Sequence, residues 1–144
     1  MTLWVVKLGT SLLRGDTAAT IEGYAARFAD AFARGDQIVL VTSGAVGLGC
    51  QRLGLSQRPE AVLDLQAAAA VGQGYLMALY ERALGRHGIR VAQVLLTRSD
   101  LADRRRYRSA SVTLQKLLNW SVLPVINENL SLIHISEPTR QWSI

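Results

Sequence analysis

A chain of 144 residues with 49% hydrophobic and 19% charged side chains can bury one core and does not have the composition of a disordered polypeptide. Its 16 basic and 11 acidic residues leave a formal charge of +5, but the two signs alternate along most of the chain, which argues against a concentrated nucleic-acid-binding stripe. A single cysteine, Cys50, excludes an internal disulfide and a Cys-based zinc cluster.

Leu3 to Leu8 is a short apolar run that reads as a buried strand ending in the turn Gly9-Thr10-Ser11. Lys7 interrupts it well short of a secretory h-region. Thr20 is placed to cap a helix starting at Ile21, since its hydroxyl can accept from an unpaired backbone N–H. Ile21, Tyr24, Ala25, Phe28 and Phe32 share one face of that helix, and Gly35 ends it. Gln37 to Thr42 is a second strand, running into a glycine-rich loop from Ser43 to Gly49. Pro59 and Glu60 open a helical region to about Arg86, with Leu63, Leu65, Leu76, Leu79 and Leu84 as apolar contacts and Gly72 and Gly74 as possible bends.

Arg90 to Leu96 is a third strand, with Thr97 to Asp100 as its loop. A helix starting near Asp103 carries Tyr107, Leu114, Leu117 and Leu118. Val122 to Ile126 is a fourth strand, which Pro124 assigns to an edge or an irregular position. No stretch reads as the ~18 consecutive apolar residues of a membrane span. Strands separated by helices imply right-handed crossovers and an α/β fold, a three-layer αβα sandwich around a mainly parallel sheet. Loops at the carboxyl ends of such strands gather in one crevice, the usual ligand site. Gly9 to Ser11, Ser43 to Gly49 and Asn127 to Asn129 are the three polar or glycine-rich loops that leave strands this way.

Lys7 followed by Gly9-Thr10-Ser11 can hold phosphate oxygens, the glycine turn through bare N–H groups and the lysine as a point charge. The plain alternative is a lysine snorkelling from a sheet end. The spacing is not that of a Walker A loop. Ser43-Gly44-x-x-Gly47-x-Gly49 lets backbone approach a ligand, or is simply a tight turn. It lacks both the Rossmann fingerprint and the nucleophile-elbow pattern. Asn127-Glu128-Asn129 offers amides and a carboxylate to an amino acid's charged groups, or is an ordinary loop. The run of Arg104, Arg105, Arg106 and Arg108 reads first as a solvated or subunit-contacting helix start. His87 and His134 lack metal-ligand spacing, and no protein-bound metal is expected. Cys50 reads as a small packing residue.

Val5-Val6-Lys7-Leu8-Gly9-Thr10-Ser11, Val41-Thr42-Ser43-Gly44-Ala45, Ala68-Ala69-Ala70-Val71-Gly72-Gln73, Leu95-Leu96-Thr97-Arg98 and Val122-Leu123-Pro124-Val125-Ile126-Asn127-Glu128-Asn129 occur in this order. Together they resemble the glutamate 5-kinases of the amino acid kinase family over residues 3–129. The resemblance implies transfer of a phosphoryl group from MgATP to the side-chain carboxylate of L-glutamate, the first step towards proline, in a cytoplasmic enzyme that is a homo-oligomer. By motif match, Lys7 would be the catalytic charge stabiliser. Lys7, Gly9, Thr10, Ser11 and Gly44 would bind ATP phosphates, and Ser43, Gly44, Ala45, Asn127 and Asn129 would bind glutamate. Other members of the wider family, acting on other carboxylates or phosphates, stay open as alternatives, as does a non-catalytic basic α/β binding module.

The pattern departs from the family at Leu130, where an Asp is usual, and Ser109 stands where Asn is usual. Residues 1–129 therefore read as the substrate-side half of the kinase domain, and 130–144 as a non-native or disordered tail. Such a half is expected to be inactive alone and marginally stable or prone to associate through uncovered apolar surface.

Overall fold

The computed structural model describes residues 1–127; the expectations for Glu128, Asn129 and the tail lie outside these residues. Four six-residue strands, β1 (Leu3–Leu8), β2 (Gln37–Thr42), β3 (Arg90–Leu95) and β4 (Val122–Asn127), form one sheet in the order β1-β2-β4-β3. Every pairing is parallel, as the intervening helices require. The helices are α1 (Thr17–Ala33), α2 (Ala45–Leu53), α3 (Val62–Gly85), α4 (Arg98–Ala102) and α5 (Arg104–Asn119), with a short 3₁₀ turn at Thr10–Leu13.

The main core lies between the sheet and the α1–α3 layer. Ile21, Ala25 and Phe28 of α1 and Leu76, Leu79, Tyr80 and Leu84 of α3 pack on Ile38, Leu40, Leu123 and Val125. Trp4, Val6 and Leu8 join this cluster. By strand alternation, Leu3, Val5 and Lys7 lie on the opposite face. That face is less covered: Leu3 and Val5 are exposed, and α5, which packs on β4, buries only Leu118 among its described side chains. Tyr107 of α5 is exposed and Leu114 and Leu117 are half-buried. A smaller cluster of Val46, Cys50, Leu65 and Ala68 joins α2 to α3.

Four local expectations are corrected. Helix α1 begins at Thr17, not Ile21, because the Asp16 carboxylate caps it by accepting from the Ala19 N–H at 3.2 Å; the Thr20 hydroxyl instead donates to the Asp16 carbonyl at 3.0 Å. Thr97 to Asp100 is not a plain loop. Thr97 and Asp100 form a reciprocal capping box that starts α4. Leu63 makes no core contact: it is 78% exposed, while Leu65 is buried.

Pro124, the fourth case, sits in a central strand rather than at an edge and is fully buried. The ladder between β2 and β4 begins one residue later, at Leu40–Val125, so the absent N–H loses no bond on that side. In addition, and against the expectation from the sequence, α3 contains an 18-residue window apolar enough to cross a bilayer by length and composition. Its buried face is part of the core just described.

Candidate functional site

Parallel pairing brings the strand ends together in register. Leu8 is opposite Thr42, and Asn127 is opposite both Thr42 and Leu95. Beyond the last pair of β1 and β2, the Ser43 N–H donates to the Leu8 carbonyl at 3.0 Å, carrying the ladder into the turn. A methyl group at Gly9 would touch Ser43 Oγ at 3.6 Å. The Lys7-bearing turn and the Ser43-bearing turn therefore leave neighbouring strands in the same direction and meet. Lys7 itself is half-buried, two residues before Gly9.

Gly9 opens the 3₁₀ turn, with the Leu12 N–H bonded to its carbonyl at 3.1 Å. Leu12 is buried and anchors the turn, which leaves Thr10 and Ser11 exposed at its surface. On the other side, Gly44 has φ 99°, a left-handed conformation that side chains with a Cβ rarely adopt. It turns β2 directly into α2, and no side chain caps that helix start. Free N–H groups at a helix N-terminus favour an anion through both hydrogen bonding and the helix dipole.

The glycine-rich stretch is thus not one loop. Only Ser43 and Gly44 form the turn, and Ala45 onward is helix. Gly47 and Gly49 are there for packing. A Cβ on Gly47 would lie 2.5 Å from Leu13 Cδ1, and one on Gly49 would lie 1.7 Å from the Ala68 carbonyl oxygen. Gly72 reciprocates, its Cβ position falling 1.7 Å from the Ala45 carbonyl oxygen. Backbone meets backbone at this crossing of α2 and α3. Gly72 and Gly74 do not break α3, which runs unbroken for 24 residues. The Ala45 side chain is fully buried, so its contribution to a ligand is confined to the backbone.

Under the strand ends lies a polar layer. The Thr42 hydroxyl and Tyr80 hydroxyl share a hydrogen bond at 3.2 Å, both buried. Burial pushes the Tyr80 phenol up to about 12, with the Thr42 bond opposing the shift. Asn127, 3% exposed, donates from Nδ2 to Gln73 Oε1 at 2.6 Å. Gln73 Nε2 donates in turn to Gln93 Oε1 at 2.9 Å.

Sequence reasoning singled out Asn127 but not Gln73, Gln93, Thr42 or Tyr80. Gln73 did carry a signal: it is a lone amide within the apolar stretch from Ala67 to Tyr75. The arginine run lies apart, on α5, where Arg104, Arg105 and Arg108 line an open groove of about 710 Å³ with Tyr107 and Ser111. Among the described residues no group of three or more His, Cys, Asp or Glu is placed to hold a metal ion.

Residues 2–141 match the model of the Amino acid kinase family, a range that takes in part of the stretch the motifs leave unmatched. A glutamate 5-kinase of Parasynechococcus marenigrum (strain WH8102) is 79% identical over 129 residues, covering 90% of this chain and 36% of that protein. One from Synechococcus sp. (strain CC9902) is 77% identical over 132 residues, covering 92% and 37%. This chain therefore spans little more than a third of the length of these curated relatives. Among solved structures, an isopentenyl phosphate kinase product complex from T. acidophilum superposes with a TM-score of 0.57 at 15% identity, covering 88% of this chain and 54% of that one. An aspartate kinase from Synechocystis gives 0.54 at 15% identity, covering 86% and 21%. At that identity the likeness speaks for the fold alone.

Proposed function

This chain belongs to the amino acid kinase family, and from that premise we propose that it carries the acceptor side of an ATP-dependent kinase site acting on the side-chain carboxylate of L-glutamate. The product would be glutamyl 5-phosphate, the first intermediate towards proline. The observation that carries this reading is the meeting of the two turns: Gly9, two residues past Lys7, lies against Ser43 at the ends of adjacent parallel strands. The 79% and 77% identity to proteins named glutamate 5-kinase supports glutamate as the acceptor.

In this reading a γ-carboxylate oxygen of glutamate attacks the terminal phosphorus of ATP, the new P–O bond forms and the bond to ADP breaks. The carboxylate is already ionised near neutral pH, since its ordinary pKa is about 4.3, so no strong general base is needed. Catalysis then rests on positioning and on neutralising charge spread over the transferring oxygens. Lys7 supplies the positive charge. Gly9, Thr10, Ser11 and Gly44 supply backbone donors to phosphate. Ser43, Gly44, Ala45, Asn127 and Asn129 hold the amino acid. Magnesium arrives as the substrate complex MgATP. A homo-oligomeric state and a cytoplasmic setting belong to the same proposal.

The test joins residues 1–129 to the remaining sequence of the Parasynechococcus relative and follows ADP release, with the acyl phosphate trapped by hydroxylamine. Turnover should depend on L-glutamate and fall roughly 10²-fold in kcat on Lys7→Ala, the scale of losing one charge stabiliser. Equal turnover on aspartate, N-acetylglutamate or carbamate would overturn glutamate as the acceptor. An unchanged kcat would remove Lys7 from the mechanism.

A further inference from the structure

Asn127 ends a central strand and is almost wholly buried. A buried amide has two chemically opposite ends, and a site that uses it must fix which end faces the ligand. We propose that Gln73 is the positioning residue that does this, so that the amide chain Asn127–Gln73–Gln93 sets the affinity of the site for the amino acid acceptor. The proposal rests on the reading of Asn127 as an acceptor contact.

Donation runs one way along the chain. Gln73 gives its Nε2 to Gln93 Oε1 and therefore presents Oε1 to Asn127, which must answer with Nδ2. Turning the Asn127 amide over while Gln73 keeps its bond to Gln93 would set two carbonyl oxygens against each other at 2.6 Å. Neither end can drift out of reach. Asn127 is held in register between Thr42 and Leu95. Gln73 directly follows Gly72, where backbone contact with Ala45 fixes α3 against sliding. Leu76, Leu79, Tyr80 and Leu84 already bind α3 to the sheet, so Gln73 is not needed to hold the helix down. Its bond goes instead to the one buried amide at the carboxyl end of β4.

Two substitutions separate positioning from support. Gln73→Met keeps the side-chain length and removes the acceptor. Gln73→Glu keeps an acceptor for Asn127, and the exposed Gln93 can rotate its amide to donate to it. In the ¹⁵N-labelled 144-residue chain, the Asn127 side-chain amide should exchange with solvent about tenfold faster in the Met variant and near the original rate in the Glu variant. In residues 1–129 joined to the remaining Parasynechococcus sequence, L-glutamate binding, followed by calorimetry, should weaken about tenfold with Met and stay within about threefold with Glu, while ATP binding is unmoved in both. Asn127 exchange and glutamate affinity both indifferent to Met would overturn the proposal, as would a Glu variant that behaves like Met. Should Gln73→Met prevent folding, Gln93→Met at the exposed end is the substitute; it should also speed exchange of the Asn127 amide, and an amide unaffected there would overturn the one-way chain. A completed chain that binds no L-glutamate, yet shows the Asn127 amide answering to Gln73, would sink the glutamate reading and leave the positioning role standing.

Discussion

Tyr80 and Thr42 form a neutral pair sealed beneath the strand ends, each the other's hydrogen-bond partner. Removing one hydroxyl strands the other in a dry setting, so Tyr80→Phe should cost about 1–2 kcal/mol in urea unfolding although almost no volume is lost. The phenol also dictates an alkaline limit. Its folded value is raised from 10.0 to about 12, so above pH 10 the unfolded chain gives up this proton first. Stability should therefore fall progressively between about pH 10 and 12, and the Phe variant should lose that component of the slope. A steep alkaline slope identical in both proteins would rule out Tyr80 as its source. None of this was legible in the sequence, where Tyr80 is one more apolar residue on a long helix. Its partner lies 38 positions away, and only the packed fold brings the two together.

At the scale of elements, the crossing of α2 and α3 is the most constrained contact described. Gly49 and Gly72 each meet the other helix's backbone where a Cβ would stand. Backbone cannot swing aside as a side chain can. Gly72→Ala should therefore destabilise the fold by about 3 kcal/mol or more in equilibrium unfolding, against the modest gain alanine brings to an exposed helix. Gly74→Ala, with open space around it, should be neutral or slightly stabilising. Equal effects at the two positions would show that the crossing is looser than described. The pattern of glycines pointed to a ligand loop or a tight turn after β2 and to a bend at Gly72, rather than to a neighbouring helix. A glycine's spacing reports that room is needed and not what fills it. Helix and strand identities, by contrast, were readable because apolar periodicity is a local property, and the Lys7 and Ser43 turns and the Asn127 strand end were found because each lies at the end of an apolar run. The helix starts were misjudged where a cap stood one turn earlier, as Asp16 does for α1.

Across the whole molecule, the N-terminal strand is strapped to the start of β2 by one carboxylate. Asp36 accepts from the Thr2 N–H and from Trp4 Nε1, each at 3.0 Å, with Arg34 at 3.5 Å. The Trp4 bond, then the Thr2 bond, hold its pKa below the ordinary carboxylate value. A depressed acid contributes its stability above the unfolded value of about 3.9 and loses it as pH falls through the folded one. Asp36→Asn should thus lower Tm at neutral pH, and the gap between the two proteins should close below about pH 4; a gap that persists in acid would locate the effect elsewhere. Strand order was the part of the architecture that periodicity could not supply, because it identifies strands without naming their neighbours, and Pro124 allowed an edge where β4 is central. The order has a consequence for synthesis. Among the described residues β3 bonds only to β4, and β4 alone joins it to the β1–β2 pair. On the ribosome the last of the described strands to emerge is the keystone: until residues 122–127 clear the exit tunnel, the β1–β2 pair and β3 stay unjoined, and their apolar edges must wait for a chaperone or for one another.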